Sequence, residues 1–213
     1  MEKYLKRILF LLVGVLMAGS LMGCTSDKAV KTYLQALLDA SYKNDSSAFV
    51  DMKLGKAEEA QALYAQGIDT GVSVFCSRMG VSDDYKEEFR QIYMEMLGKV
   101  RYTVDTAEKQ SDGSYVVSVS YEKMRIFEPA LLMYQEKVAA LGDEWEKNDS
   151  FPSEEDIVKR VILEFKESME TILSDVTYDA AASINIRIEL ENNVYTPNAD
   201  DIIELEKALF DGE

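Results

Sequence analysis

Histidine is absent from this chain of 213 residues, and cysteine occurs only at Cys24 and Cys76. These two shortages remove whole classes of chemistry. Ser-His-Asp and Cys-His nucleophilic catalysis, HExxH zinc peptidases and ordinary zinc sites all need imidazole or clustered thiolates. No GxGxxG or GxxxxGKS/T loop is present, so the usual backbone cradles for nucleotide phosphates are missing too. Cys76 closes the apolar run Val72 to Cys76; with no imidazole to activate it, it reads as a small buried hydrophobe and not as a nucleophile. Carboxylate, tyrosine and lysine chemistry remain open, but no catalytic residue, metal ligand or cofactor is assigned from the sequence.

Positive charge is also scarce. Lys and Arg number 23 against 39 Asp and Glu, a formal net charge of −16. Such a surface is repelled by nucleic acid phosphates and anionic headgroups, which argues against polynucleotide binding and flat adsorption on a membrane. Cations or basic partners suit it better, although a solvated, solubilising surface explains the same charge. There is no internal repeat of 20 to 50 residues and no low-complexity segment.

The N-terminus is the most specific feature. Lys3, Lys6 and Arg7 precede an apolar stretch from Ile8 to Leu16 interrupted by Gly14, a charged region and a hydrophobic region too short for a comfortable membrane span of about 20 residues. Leu21-Met22-Gly23-Cys24 follows and resembles the lipobox of bacterial lipoproteins. The resemblance implies a diacylglycerol on Cys24 Sγ, cleavage between Gly23 and Cys24, palmitate-type acylation, and an anchor in the lipid bilayer at the extracytoplasmic face. An ordinary secretory signal with an incidental cysteine, or an uncleaved anchor, are the alternatives. The expected organisation is a signal peptide over 1–23, a lipidated anchor and short tether over 24–27, and a single domain over 28–213. Cleavage would remove three basic and one acidic side chain, leaving a net charge of −18.

Helical spacing of Val30, Tyr33, Leu34, Leu37, Leu38 and Tyr42 predicts a first helix. An alanine-rich helix from about Lys56 to Asp69 either stops there or runs on through Gly71 into Val72 to Cys76. Tyr85, Phe89, Ile92, Tyr93, Met96, Leu97 and Val100 form a third apolar stripe. The period then changes. Arg101 to Glu108 and Tyr115 to Met124 flank Ser111-Asp112-Gly113-Ser114, a hairpin signal. A helix starts near Pro129 with Leu131, Leu132, Tyr134, Val138 and Leu141 apolar, and an acidic loop carries Trp145 and Phe151. Ser153 with Asp156 then reads as the cap of another helix, striped by Ile157, Val161, Phe165, Met169 and Ile172. Ala182 to Leu190 alternates strictly, Asn192-Asn193 turns the chain back at Val194-Tyr195, and Asn198 opens a closing helix with Ile202, Ile203, Leu205 and Leu209 apolar.

This order predicts an α+β domain: a curved antiparallel sheet of about four strands wrapped by N-terminal and inserted helices. Val100-Arg101-Tyr102-Thr103-Val104, the Gly113 hairpin, the Phe127 to Leu132 helix start and Asp200-Asp201-Ile202-Ile203 together resemble a family of uncharacterised Gram-positive lipoproteins with a cystatin-like, nuclear-transport-factor-like cone fold. Asn192-Asn193-Val194-Tyr195 departs from that family's pattern. The resemblance implies fold and location and carries over no site. The function expected is a non-catalytic binding or protein-interaction module of the cell envelope. Tyr102, Tyr115 and Tyr121 are candidates for a small-molecule pocket, with plain amphipathic sheet residues as the alternative. Trp145 and Phe151 are candidates for contact with an envelope protein, with packing onto neighbouring helices as the alternative. A small-molecule enzyme using carboxylate and tyrosine acid-base chemistry, of which ketosteroid isomerase is an example on a similar architecture, is the competing reading.

Overall fold

The computed structural model describes residues 21–22 and 26–210; Gly23, Cys24 and, of the expected signal peptide, residues 1–20 lie outside them. A two-residue strand, β1 (Leu21–Met22), comes first. Ser26 then starts the first helix: its side chain accepts the Ala29 N–H at 3.2 Å, and α1 (Asp27–Tyr42) buries the whole stripe expected of it. A short α2 (Ser47–Asp51) leads to α3 (Ala57–Met79), which runs unbroken past Asp69. Gly71 does not stop the helix because its lack of a Cβ is used: the Tyr93 ring occupies that space. A 3-10 turn over Asp83–Tyr85 feeds α4 (Lys86–Gly98).

The hairpin forms as β2 (Arg101–Lys109) and β3 (Tyr115–Glu122), closed by Gly113 at φ +90°. The β2 register shifts between Val104 and Thr106, a bulge that bends the strand and curves the sheet. Two short strands that periodicity could not reveal, β4 (Met124–Arg125) and β5 (Thr177–Tyr178), pair with each other. Between them lie α5 (Phe127–Lys147) and α6 (Glu154–Ser174). β6 (Ala182–Glu191), β7 (Val194–Pro197) and α7 (Ala199–Leu209) complete the chain. Asn192 and Asn193 turn β6 into β7 with φ of 52° and 63°, values that asparagine tolerates better than most residues.

The main sheet is antiparallel in the order β1-β7-β6-β3-β2, so four longer strands form it and β1 sits on the β7 edge. The fold is therefore α+β, as expected. Its inner face carries Val104, Tyr115, Val117, Val119, Ile186 and Ile188, covered by α1 and α7, and α3 and α4 continue the same core. Phe165 of α6 joins this core through Phe89 and Phe75, with ring centroids 5.8 and 6.4 Å away.

The α5–α6 hairpin differs from expectation in two ways. Leu131 and Leu132, read as apolar positions of this helix, are 39% and 58% exposed, and Ala130 is the only fully buried residue of α5. Trp145, expected in a loop, belongs to the last turns of α5, because the helix continues through Gly142 to Lys147. Gly in a helix interior costs only about 1 kcal/mol relative to Ala, and Leu141 with Trp145 keeps one apolar face four residues apart.

Candidate functional site

The three tyrosines proposed for a pocket do not converge. Tyr102 and Tyr121 are direct cross-strand partners, whereas Tyr115 faces Lys109 at the other end of the hairpin, about 20 Å along the strand at 3.4 Å per residue. Tyr115 is fully buried and meets Tyr195 edge-on, with centroids 5.7 Å apart. Tyr121 is half-buried against the core. Tyr102 donates its hydroxyl to Asp39 Oδ1 at 2.8 Å, and Lys43 Nζ lies 4.3 Å from its ring centroid. Asp39 also accepts from Gln35 Nε2 at 2.9 Å, and Gln35 Oε1 accepts the Val104 N–H at 3.2 Å. Burial first, and the Asp39 charge second, push the Tyr102 phenol far above its ordinary range, so it acts here as a donor that ties α1 to β2.

A carboxyl that the sequence reading missed lies behind this latch. Glu206 of α7 is 6% exposed, and burial pushes its carboxyl well above the usual carboxylate range; the facing Tyr42 hydroxyl opposes this only in part. Tyr42 of α1 is raised in the same way by burial and then by Glu206, while Tyr93 of α4 is raised by burial, by Glu206 and by Tyr64. Among the described residues, Tyr42 Oη and Glu206 Oε1 are the buried side-chain polar atoms without a hydrogen bond of good geometry. Burial of this kind disfavours the charged carboxylate, so the protonated form is the one this environment of phenols favours. The sequence did carry a signal: Glu206 falls four residues after Ile202, on the same helical stripe as Leu205 and Leu209.

The other candidate is open to solvent. At the tip of the α5–α6 hairpin, Leu141, Trp145, Pro152 and Leu163 line an open groove of about 480 Å³, bordered by Glu144, Asp156, Lys159 and Arg160. Ser153 shapes its rim by capping α6, accepting the Asp156 N–H at 3.2 Å. Phe151, next to the groove in the connection, is 65% exposed. Further down, Arg160 and Lys137 both pair with Glu164, a buried carboxylate of α6, which clamps the two helices together. Trp145 is half-buried in the groove lining, whereas Phe151 is not among the lining residues and stands exposed in the connection just before Pro152.

No group of three or more His, Cys, Asp and Glu placed to hold a metal ion occurs among the described residues. Nor, among them, is any helix long and apolar enough to cross a membrane.

No protein-family profile and no curated protein matches the chain. Among solved structures, it is similar to a candidate lipoprotein (ycdA) of Bacillus subtilis, with 16% identity and a TM-score of 0.57. The match covers 84% of this chain and 55% of that one. This chain thus matches little more than half of that protein's length, and at this identity the likeness is one of fold.

Proposed function

We propose that the chain is a lipid-anchored protein of the extracytoplasmic membrane face, and that it is a non-catalytic protein-interaction module whose binding element is the α5–α6 hairpin. The lipobox-like Leu21-Met22-Gly23-Cys24 supports the anchor, and the candidate-lipoprotein name of its structural neighbour agrees with it. The cone-fold family resemblance is part of the same reading.

The observation that carries the interaction reading is the placement of the hairpin relative to the start of α1 at Asp27. α1 runs antiparallel to β2: Lys31 Nζ donates to the Asp105 carbonyl at 2.7 Å, and Tyr102 meets Asp39 at 2.8 Å. Its N-terminus, which follows Cys24 almost at once, therefore sits toward the Gly113 end of the sheet. The hairpin leaves from the opposite end, where β4 and β5 pair and Arg125 Nε binds Asp179 at 2.8 Å. A strand of eight residues separates the two ends, about 27 Å. An anchor at one end and apolar helices rooted at the other suit a protein that presents a surface away from its membrane.

The test is co-purification of the full lipoprotein from its native membrane beside a Cys24→Ser variant and a Phe151→Ser variant. Membrane retention lost with Cys24→Ser, and one protein partner lost with Phe151→Ser, are the expected results. A partner that persists in the Phe151 variant would remove the hairpin from the reading.

Glu206 favours the enzymatic alternative, because a buried carboxyl with a raised pKa beside phenols is the equipment of proton-transfer catalysis. The enclosed side chain weighs against it, since a substrate reaches that carboxyl only if α7 moves. A small ketone that raises the melting temperature of the wild type but not of Glu206→Gln would shift the balance to catalysis.

A further inference from the structure

We infer that the groove at the tip of the α5–α6 hairpin receives a basic amphipathic helix of a partner protein; this rests on the interaction reading above and names its partner class. Three observations lead there. No residue of α5 after Ala130, and none of α6 before Ile162, is fully buried. The hairpin therefore extends past the core by more than two turns of α6, and its facing side chains are covered on one side only. Two antiparallel helices covered in this way lack the third that would complete a helical layer, and an apolar helical face laid between them is the packing that geometry favours.

The floor of the groove is apolar and contains a residue type that dominates binding energetics. Trp145 lines it together with Leu141, Leu163 and Pro152, and Phe151, which precedes Pro152 in the connection, is 65% exposed. A half-buried Trp and an exposed Phe at the end of a helical hairpin are aromatics of the kind that anchor an interface.

Charge selects the occupant. From Gly142 to Asp156 the chain carries seven acidic side chains and one basic, Lys147. Of the cations bordering the groove, Arg160 is bound to Glu164 and Lys159 is outnumbered. A helix with an apolar face and flanking Lys or Arg satisfies the floor and the acidic end of α5 and its connection together, whereas an acidic helix meets repulsion there and only Lys159 in compensation. The long-range field of a chain with a formal charge of −16 adds to the attraction.

Trp145 is the only tryptophan, so its fluorescence reports on the groove without a label. The experiment titrates the full lipoprotein in neutral detergent with a synthetic amphipathic Leu/Lys helical peptide, and separately with a Leu/Glu peptide of the same length. The Leu/Lys peptide should shift Trp145 emission saturably and the Leu/Glu peptide should not. Glu144→Lys/Glu146→Lys should weaken the Leu/Lys peptide about tenfold. Asp51→Lys/Glu58→Lys, an equal charge change on α2 and α3, should leave its affinity within about twofold. Equal loss in both double variants, or equal binding of both peptides, would overturn the proposal by reducing it to bulk charge attraction. Photo-crosslinking from position 151 in native membranes separates the two levels. A partner joined through an acidic or uncharged segment overturns the basic-helix assignment while the interaction reading stands; the absence of any crosslinked protein overturns both.

Discussion

Glu206 and Tyr42 face each other inside the domain, one on the last helix and one on the first, with neither Glu206 Oε1 nor Tyr42 Oη in a hydrogen bond of good geometry. The pair joins elements from opposite ends of the sequence, and it places the one strongly perturbed acid of the described core at the junction of α1, α4 and α7.

Burial raises the Glu206 pKa in the folded state, so folding favours its protonated form. Its contribution to stability is fully present below the ordinary glutamate value of about 4.3 and is lost as pH rises from there toward the folded value. Each pH unit in that window costs about 1.4 kcal/mol relative to a residue that does not titrate. Glu206→Gln should match the wild type near pH 4 and exceed it increasingly at neutral pH in urea unfolding. Parallel pH profiles for the two proteins would mean that the carboxyl is not held protonated.

Tyr102→Phe removes the donor that reaches Asp39 at 2.8 Å and keeps the ring under Lys43. A hydrogen bond to a charged acceptor is worth about 1.5–3 kcal/mol, and the remaining bond from Gln35 keeps the expected loss near the lower figure. Asp39→Ala should cost more, because it also releases Gln35 and the Lys43 ammonium, 3.0 Å from Asp39 Oδ1. Thermal unfolding of the two variants orders them; a Tyr102→Phe protein as stable as the wild type would rule out the latch.

How far the sequence was legible follows from the length of each signal. Ala182 to Leu190 alternated for nine residues and became β6; the stripe from Val30 to Tyr42 became α1, and Ser153 caps α6 through Asp156 as its spacing required. β4 and β5 span two residues each, too few for any period, yet they root the inserted hairpin. Leu131 and Leu132 kept helical spacing but face solvent, since periodicity identifies an apolar face without saying whether a partner within the chain covers it. Glu206 went unread because a charged residue inside an apolar stripe is ordinarily assigned to the helix edge, and only tertiary packing of α1 and α4 encloses it. The tyrosines were individually well placed as sheet residues; their separation along the hairpin depends on register, which the turn fixes and composition does not.

Cys76 is fully buried, and burial pushes its thiol above the ordinary range, with the Asp83 charge adding to the effect. Both terms reduce the thiolate that reacts with alkylating reagents. In a chain beginning at Thr25, where Cys76 is the only thiol, labelling at pH 8 should be about 100-fold or more slower than in urea and should follow the opening of α3. Rapid labelling of the native protein would place the thiol at the surface.

Gly71 sits in the middle of α3, where glycine ordinarily weakens a helix and alanine would strengthen it by up to about 1 kcal/mol. Here the sign reverses. The Tyr93 ring and hydroxyl of α4 fill the space that a Cβ at position 71 would need, and Tyr93 is itself half-buried against the core, packing on Phe75 with centroids 6.3 Å apart. Gly71→Ala must push α4 from α3 or force the ring aside, at a cost of about 1–3 kcal/mol for an overpacked core. Adding Tyr93→Leu frees the space and should recover much of the loss, so the double variant should be more stable than the two single losses predict by addition. Gly67→Ala, four residues earlier on the same buried helix face, measures how general the effect is along α3. Equal stability of Gly71→Ala and wild type would show that α3 and α4 part easily at this point.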